Sequence, residues 1–490
     1  MILASTASHQ RMLPWGLGAF SCACLLLLSA SVLGADWRLS KQLTVKGTYT
    51  DNLNLEDPTA NDGAQGDFFI QLTPGFVLQA NGRRLDLDVA YSLQSLHYLS
   101  YDSEDQLNNR LQANANSELY RDHLFLDMKV TARQELINAQ GPTSWDATGP
   151  SNNLQTTYSY LVAPYFKNRF GRTAELTLRF EQNGVFYSDE GQDSLGYGTQ
   201  LDLLSGPILG DLQLGLFAEN ANVDYQDGPS DRFSRAAGGV GYQIDERWRF
   251  DVLGGYEDNN YPSLDRTSGS LWESLLTWTP NVRTKVTAGV GQRYYGWTPR
   301  FELSYRRKRS VWTASYQRDL TSARGERANS TVYSFEDAFG EPVTPETGSA
   351  LDVPLDTATV SSSVYVNNTF TSVVTVQTRR STLGASLGYG LRQYQDVARD
   401  DEETLYARVY WSRRLAARTS LNLGLGWRQT DNNNSTDDTA ANLQDSYYFN
   451  TGLTRQLSER TYCDLQYSFR DDSDNGAENR ITLGLRISWE

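Results

Sequence analysis

Apolar and polar residues alternate one for one along most of this chain. In "RRLDLDVAYSL", Leu85, Leu87, Val89, Tyr91 and Leu93 fall on one parity, and Asp86, Asp88, Ala90 and Ser92 on the other. The same period sets Leu124, Leu126, Met128 and Val130 against Phe125, Asp127, Lys129 and Thr131. It sets Ala174, Leu176, Leu178 and Phe180 against Glu175, Thr177, Arg179 and Glu181. The closing "RITLGLRISWE" repeats it, with Ile481, Leu483, Leu485, Ile487 and Trp489 alternating with Thr482, Gly484, Arg486 and Ser488. Successive side chains of a β-strand point to opposite faces, so each stretch predicts a strand with one apolar face and one wet face. No helical period competes over a comparable length.

The connections alternate as well. Short ones run over residues 81–84, 121–123, 167–172, 244–247, 279–284 and 307–310, and long ones over 51–67, 137–152, 257–267, 430–446 and 471–479. Tight turns on one rim and longer loops on the other are what an outer-membrane barrel requires. The spacing predicts an all-β chain forming a single closed antiparallel transmembrane β-barrel of about 22 strands, from roughly Lys41 to Trp489. An antiparallel sandwich in water alternates too. Two features favour the barrel. The polar parity carries charges such as Glu175, Arg179, Arg408 and Arg486, which suits a wet lumen. Aromatic residues also bunch at strand ends, in "RYYGW" (293–297), "VYW" (409–411) and "SYYF" (446–449), as interfacial girdles do.

Composition narrows the class further. The chain has 490 residues, 12% of them aromatic, with 28 Tyr and 39 Gly, and its mean hydropathy is -0.53. It is too polar for helical membrane spans and too aromatic for disorder. Residues 11–35, "RMLPWGLGAFSCACLLLLSASVLGA", have the weakly basic start, apolar centre and small terminal residues of a secretory signal peptide. The expected organisation is therefore a signal peptide over 1–35 and an outer-membrane barrel over 36–490. Past Ala35 no apolar stretch approaches the roughly 20 residues of a spanning helix. Cys22 and Cys24 leave with the signal, and Cys463 is left alone on an apolar parity with no partner for an intrachain disulfide. A net charge of -15 argues against nucleic acid as a partner.

A barrel of this size encloses a lumen that needs a plug or passes something bulky. Strand character starts at residues 39–49, directly after the signal, so no plug domain is expected ahead of it. The connection over about 321–369 is the segment long enough to obstruct the pore, and it is predicted to fold inward or over the mouth. Little in the chain suggests chemistry. His97 and His123 fall on opposite rims and cannot share a site. Asp471, Ser473, Asn475 and Gly476 mimic the opening of a calcium loop, but Thr482 stands where the closing glutamate is needed. No catalytic residue, cofactor or metal is expected, and the chain reads as a non-enzyme. The candidate functional residues are the lumen-parity charges Asp86, Asp88, Asp127, Glu175, Arg179, Arg408 and Arg486. Ile487 and Trp489 are candidates for an assembly signal. A terminal strand of this form resembles the one read by the barrel-assembly machinery, although Glu490 follows the aromatic residue.

Three stretches carry a resemblance: "YTDNLNLE" (49–56), "FFIQLTPGFVLQANGRRLDLDVAYSLQSLHY" (68–98) and "NNRLQANANSELYRDHLFLDMKVTA" (108–132). Over this first third the chain resembles the outer-membrane β-barrel proteins associated with the PEP-CTERM/exosortase system, and it does so more loosely through the later hairpins. The resemblance implies a Gram-negative envelope protein from a surface-polysaccharide or biofilm-matrix context, with export or anchoring of exopolysaccharide as its role. It brings no catalytic motif. Outer-membrane lipid, lipopolysaccharide and an exopolysaccharide are the partners it implies. A general diffusion porin, or a structural or adhesive surface barrel, stands as the alternative.

Overall fold

In a computed structural model, the described residues are 34–55, 64–101, 105–137, 153–189, 191–263, 265–328, 333–334, 352–353, 363–396, 400–432, 443–473 and 476–489. The proposed signal peptide therefore lies outside them, apart from Gly34 and Ala35. Period-two alternation becomes strand everywhere it is strong. One sheet of 22 strands runs from Asp36–Thr50 to Gly476–Trp489, with each strand antiparallel to its predecessor. Strand lengths lie between 10 and 17 residues, enough to cross a bilayer when tilted. The expected all-β closed barrel is the fold observed. Among the described residues no helix is long and apolar enough to cross a membrane.

Closure is made by the two ends of the sheet. The last strand pairs with the first from Lys41↔Trp489 to Thr50↔Arg480. Parity is conserved across this seam. Leu43 meets Ile487, Val45 meets Leu485 and Gly47 meets Leu483 on the outer face, while Thr44 meets Arg486 and Thr48 meets Thr482 on the inner one. Ile487 and Trp489 thus lie on the outer face as predicted. The loop-side end of the seam is clamped by buried polar groups. Thr50 Oγ1 donates to Glu478 Oε1 at 2.9 Å, and Arg480 Nε donates to the same carboxylate oxygen. Thr48 and Thr482 hydroxyls share a hydrogen bond of 2.9 Å. Just beyond, Asp51 accepts from the Asn479 backbone N–H and from its side-chain amide, both at 2.7 Å.

The outer face remains apolar and bare. Leu216, Leu425, Leu465 and Leu483 are all half exposed or more, the arrangement that lipid, and not water, stabilises. Cys463 pairs with Leu485 on this face and is a free thiol. One inward cluster of buried apolar side chains lies near the rim, where Leu53, Phe69, Leu96 and Tyr98 pack together with Tyr101 beside them.

Three details depart from the sequence reading. The strand Val364–Gln377 begins well before Thr369, so the long connection is shorter than expected. Polar residues on both parities in "NNT" (367–369) hide its first turn of alternation. The loop rim also dips, because Thr284–Arg293 and Gly296–Arg307 are joined by only Tyr294 and Tyr295. Finally, the aromatic clusters do not form girdles only. Trp411 and Tyr447 face outward, whereas Tyr410 pairs with Gly424 and Tyr448 with Arg470 on the lumen side.

The assignment of faces yields a direct test. Leu465→Arg is expected to cost about 2–4 kcal/mol near the bilayer midplane, whereas Gln466→Arg, one residue along and facing water, should stay within about 1 kcal/mol. Denaturant titration of barrels refolded into lipid vesicles measures both, and equal costs would mean the two faces are misassigned.

Candidate functional site: the barrel lumen

The inner wall is a ladder of charge pairs written into the strands. Residues i and i+2 share a face about 7 Å apart, within reach of an arginine and a carboxylate. The motif Arg-x-Asp/Glu on the lumen parity therefore pairs with itself. Arg133 Nε lies 2.6 Å from Glu135, Arg249 Nη2 2.7 Å from Asp251, Arg300 Nη2 2.6 Å from Glu302 and Arg470 Nη2 2.9 Å from Asp472. Longer reaches cross strands. Arg179 contacts Glu181 at 2.6 Å and Asp127 at 2.7 Å, passing over the Tyr165 ring, itself stacked on Phe125. Arg293 binds the buried Glu257, with Nε 3.0 Å from Oε1, and its guanidinium lies over Tyr295. The half-exposed pairs among them, such as Arg300 with Glu302, contribute little stability each. Their effect is to hold long side chains against the wall and neutralise it.

All seven predicted lumen charges face inward. They do not form one cluster. Asp127 and Arg179 cancel one another, and Glu175 is held by Lys167 and Arg169, both at 2.7 Å. Asp88 accepts from Gln79 at 2.8 Å, and Asp86 sits opposite Asn81 and Asn116. Arg486 lies over the Tyr462 ring, 4.8 Å from its centre. Arg408 lies over Tyr406 at 5.6 Å. His97 pairs with Asp105 and His123 stacks between Tyr120 and Phe166, so the two histidines have separate surroundings. Among the described residues no group of acidic, His and Cys side chains could hold a metal ion. Asn475 of the calcium-like stretch lies outside those residues.

A second structure crosses the lumen. After the strand Ser310–Ser322 the chain turns into the short helix Ala323–Ala328. From this helix Arg324 reaches the wall formed by the strands Ala174–Tyr187 and Ser194–Ser205. Its Nε lies 2.7 Å from Ser194 Oγ and its Nη2 2.5 Å from Asn183 Oδ1. Glu326 faces the other way, accepting from Asn367 at 2.7 Å and from Arg392 at 2.9 Å. The helix is therefore a strut between nearly opposite walls. A circular barrel of this strand number would be about 45 Å across. One arginine, two residues of helix and one glutamate–arginine pair fall short of that, so the cross-section is drawn in at this level. Arg324 is only 5% exposed. Burial holds its guanidinium below the ordinary arginine pKa, opposed by Tyr225, Tyr187 and Asp231 nearby.

The chain turns inward at the start of the long connection, at Arg324 and Glu326, while residues 329–332, 335–351 and 354–362, on which the predicted inward fold falls, lie outside the described residues. Arg324 and Glu326 carried no periodic signal in the sequence. The Arg-x-Asp/Glu ladder did carry one: the repeated "RQE", "RFE", "RFD", "RFE" and "RDD" on lumen parity.

No protein-family model matches the chain, and no curated protein does. Solved structures do. A variant of the ferric enterobactin receptor PfeA from Pseudomonas aeruginosa, in complex with enterobactin, aligns with TM-score 0.51 at 8% identity, covering 93% of this chain and 82% of that one. The siderophore receptor PirA from Pseudomonas aeruginosa aligns with TM-score 0.45 at 11% identity over 92% of this chain and 81% of that one. PirA from Acinetobacter baumannii gives 0.49 at 7% identity over 92% and 80%. At these identities the first of them establishes fold alone. The chain is a large outer-membrane-type β-barrel.

If the strut narrows the path, Arg324→Ala with Glu326→Ala should raise single-channel conductance in planar bilayers and admit larger sugar polymers. An unchanged channel would place the restriction elsewhere.

Proposed function

We propose that this protein is a non-enzymatic outer-membrane conduit for exopolysaccharide. The observation that carries the reading is the lumen: a closed 22-stranded wall of paired charges and inward tyrosines, crossed near the loop rim by a helical strut. A wide wet passage suits a bulky hydrated cargo. Tyrosine faces and hydrogen-bonding side chains such as Gln466, Ser468 and Asn450 suit a chain of hydroxyls, which slides along many weak partners and is held by none. The strut sets charged and amide-bonded groups across the passage, where a hydroxyl-bearing chain meets them, which favours a dedicated path over a general diffusion porin. The likeness of residues 49–132 to barrels of the PEP-CTERM/exosortase system supports the same cargo.

Deletion of the gene tests the reading. Surface polysaccharide should fall in the medium and accumulate in the periplasm, and a strut-disrupted variant should restore release. Equal amounts in both compartments of mutant and parent would argue for the structural or adhesive alternative.

A further inference from the structure

The charge ladder is interrupted where two arginines stand together. On the lumen face of the strands Glu402–Ala416 and Thr419–Asn432, Arg408 sits opposite Gly426 and Arg428 opposite Tyr406, so the two arginines are diagonal neighbours. They lie close enough to repel one another, and the groups that bear on Arg408 are Arg428, Tyr448 and Tyr406, with no carboxylate among them. Every arginine in the ladder above has an acid in reach. Among the described residues these two have none. Arg428 Nε is buried with no hydrogen-bond partner.

The surroundings present this pair to the lumen. Gly388 lies opposite Tyr406, and a Cβ there would fall 2.1 Å from the ring, so the glycine lets the tyrosine lie flat against the wall. Gly426, opposite Arg408, lies in ordinary contact range of Arg408 Cγ and Tyr448. The guanidinium of Arg408 covers the Tyr406 ring. Two like charges side by side, one with an unused buried donor, are stabilised by an anion that accepts from both. Along this strand Arg408 lies about 20 Å from Glu402, which neighbours the strut's partner Arg392. A polymer arriving from the short-turn side therefore meets the arginines before the strut.

We infer that Arg408 and Arg428 form an anion subsite in the lumen that takes the carboxylate of an acidic sugar in the exported chain. This deepens the conduit reading and rests on it, because it assigns the cargo a charge. Forked guanidinium groups match a planar carboxylate with paired hydrogen bonds. The Arg-x-Asp/Glu pairs neutralise much of the neighbouring wall, so a grip at this pair is compatible with movement.

The test uses the full barrel in detergent micelles and a fluorescently labelled oligogalacturonate, read by anisotropy. Competitors are unlabelled oligogalacturonate, monomeric galacturonate, inorganic phosphate and a maltodextrin of the same length. The double variant Arg408→Gln with Arg428→Gln should bind about tenfold more weakly or worse, and Arg408→Lys, which keeps the charge and loses the fork, should fall between it and the parent. Heat-modifiable gel mobility reports folding, and the lysine variant alone decides the matter if the double variant does not fold. Maltodextrin should not compete. Undiminished binding in the variants, absence of binding to the parent, or phosphate competing as well as the oligomer would overturn the subsite. Tight binding of maltodextrin without the acidic oligomer would overturn it while leaving the conduit reading intact.

Discussion

The structure depends on the pairing of its first strand with its last. An unpaired strand edge cannot sit in hydrocarbon, because every free N–H and C=O there loses its water without gaining a partner. Pairing Asp36–Thr50 with Gly476–Trp489 removes that edge, and it also fixes which side of every strand is inside. A slip of one residue at the seam would turn Arg480, Thr482 and Arg486 toward lipid and Ile481, Leu483 and Leu485 toward water. The Thr50–Glu478–Arg480 cluster favours the observed register, in which Thr50 Oγ1 and Arg480 Nε both donate to Glu478 Oε1.

Once the inside is fixed, the lumen follows by short steps. Alternation places arginines and acids two apart on one face, where they neutralise one another. Gly388 opposite Tyr406 lets an aromatic ring lie against the wall. Closure brings the walls bearing Asn183 and Arg392 face to face, and the helix after Ser322 spans between them. Within so matched a lining, the unmatched Arg408 and Arg428 become informative. Their charges mean little in the sequence, where basic residues are common, and more beside arginines such as Arg179, Arg293 and Arg470 that have acids in reach.

How far each feature could be read beforehand follows from how local its cause is. Strand number, face assignment and the inward position of all seven candidate charges rest on period two, which is local. The pairing of Arg179 with Asp127 was not legible, because it spans three strands and depends on the sheet twist that brings them within reach. The strut was less legible still, since Arg324 meets Ser194 and Asn183 at separations of 130 and 141 residues along the chain. The start of the strand Val364–Gln377 was missed for a local reason: Asn367, Asn368 and Thr369 put polar groups on both faces near the rim, where a strand no longer needs an apolar side. The aromatic clusters were assigned too simply, because neighbouring rings on a strand face opposite ways, so Tyr410 and Tyr448 serve the lumen while Trp411 and Tyr447 serve the membrane surface.

The central claim is that the two ends of the chain meet in one register to close the wall. In a background carrying Cys463→Ser, the pair Thr48→Cys and Thr482→Cys replaces two hydroxyls that lie 2.9 Å apart on the lumen side of the seam. Mild oxidation of intact outer membranes should join them into a disulfide that shifts gel mobility, while Thr48→Cys with Leu483→Cys, on opposite faces, should not cross-link. Cross-linking of the second pair in preference to the first, or of neither, would contradict the closure on which everything else in the molecule rests.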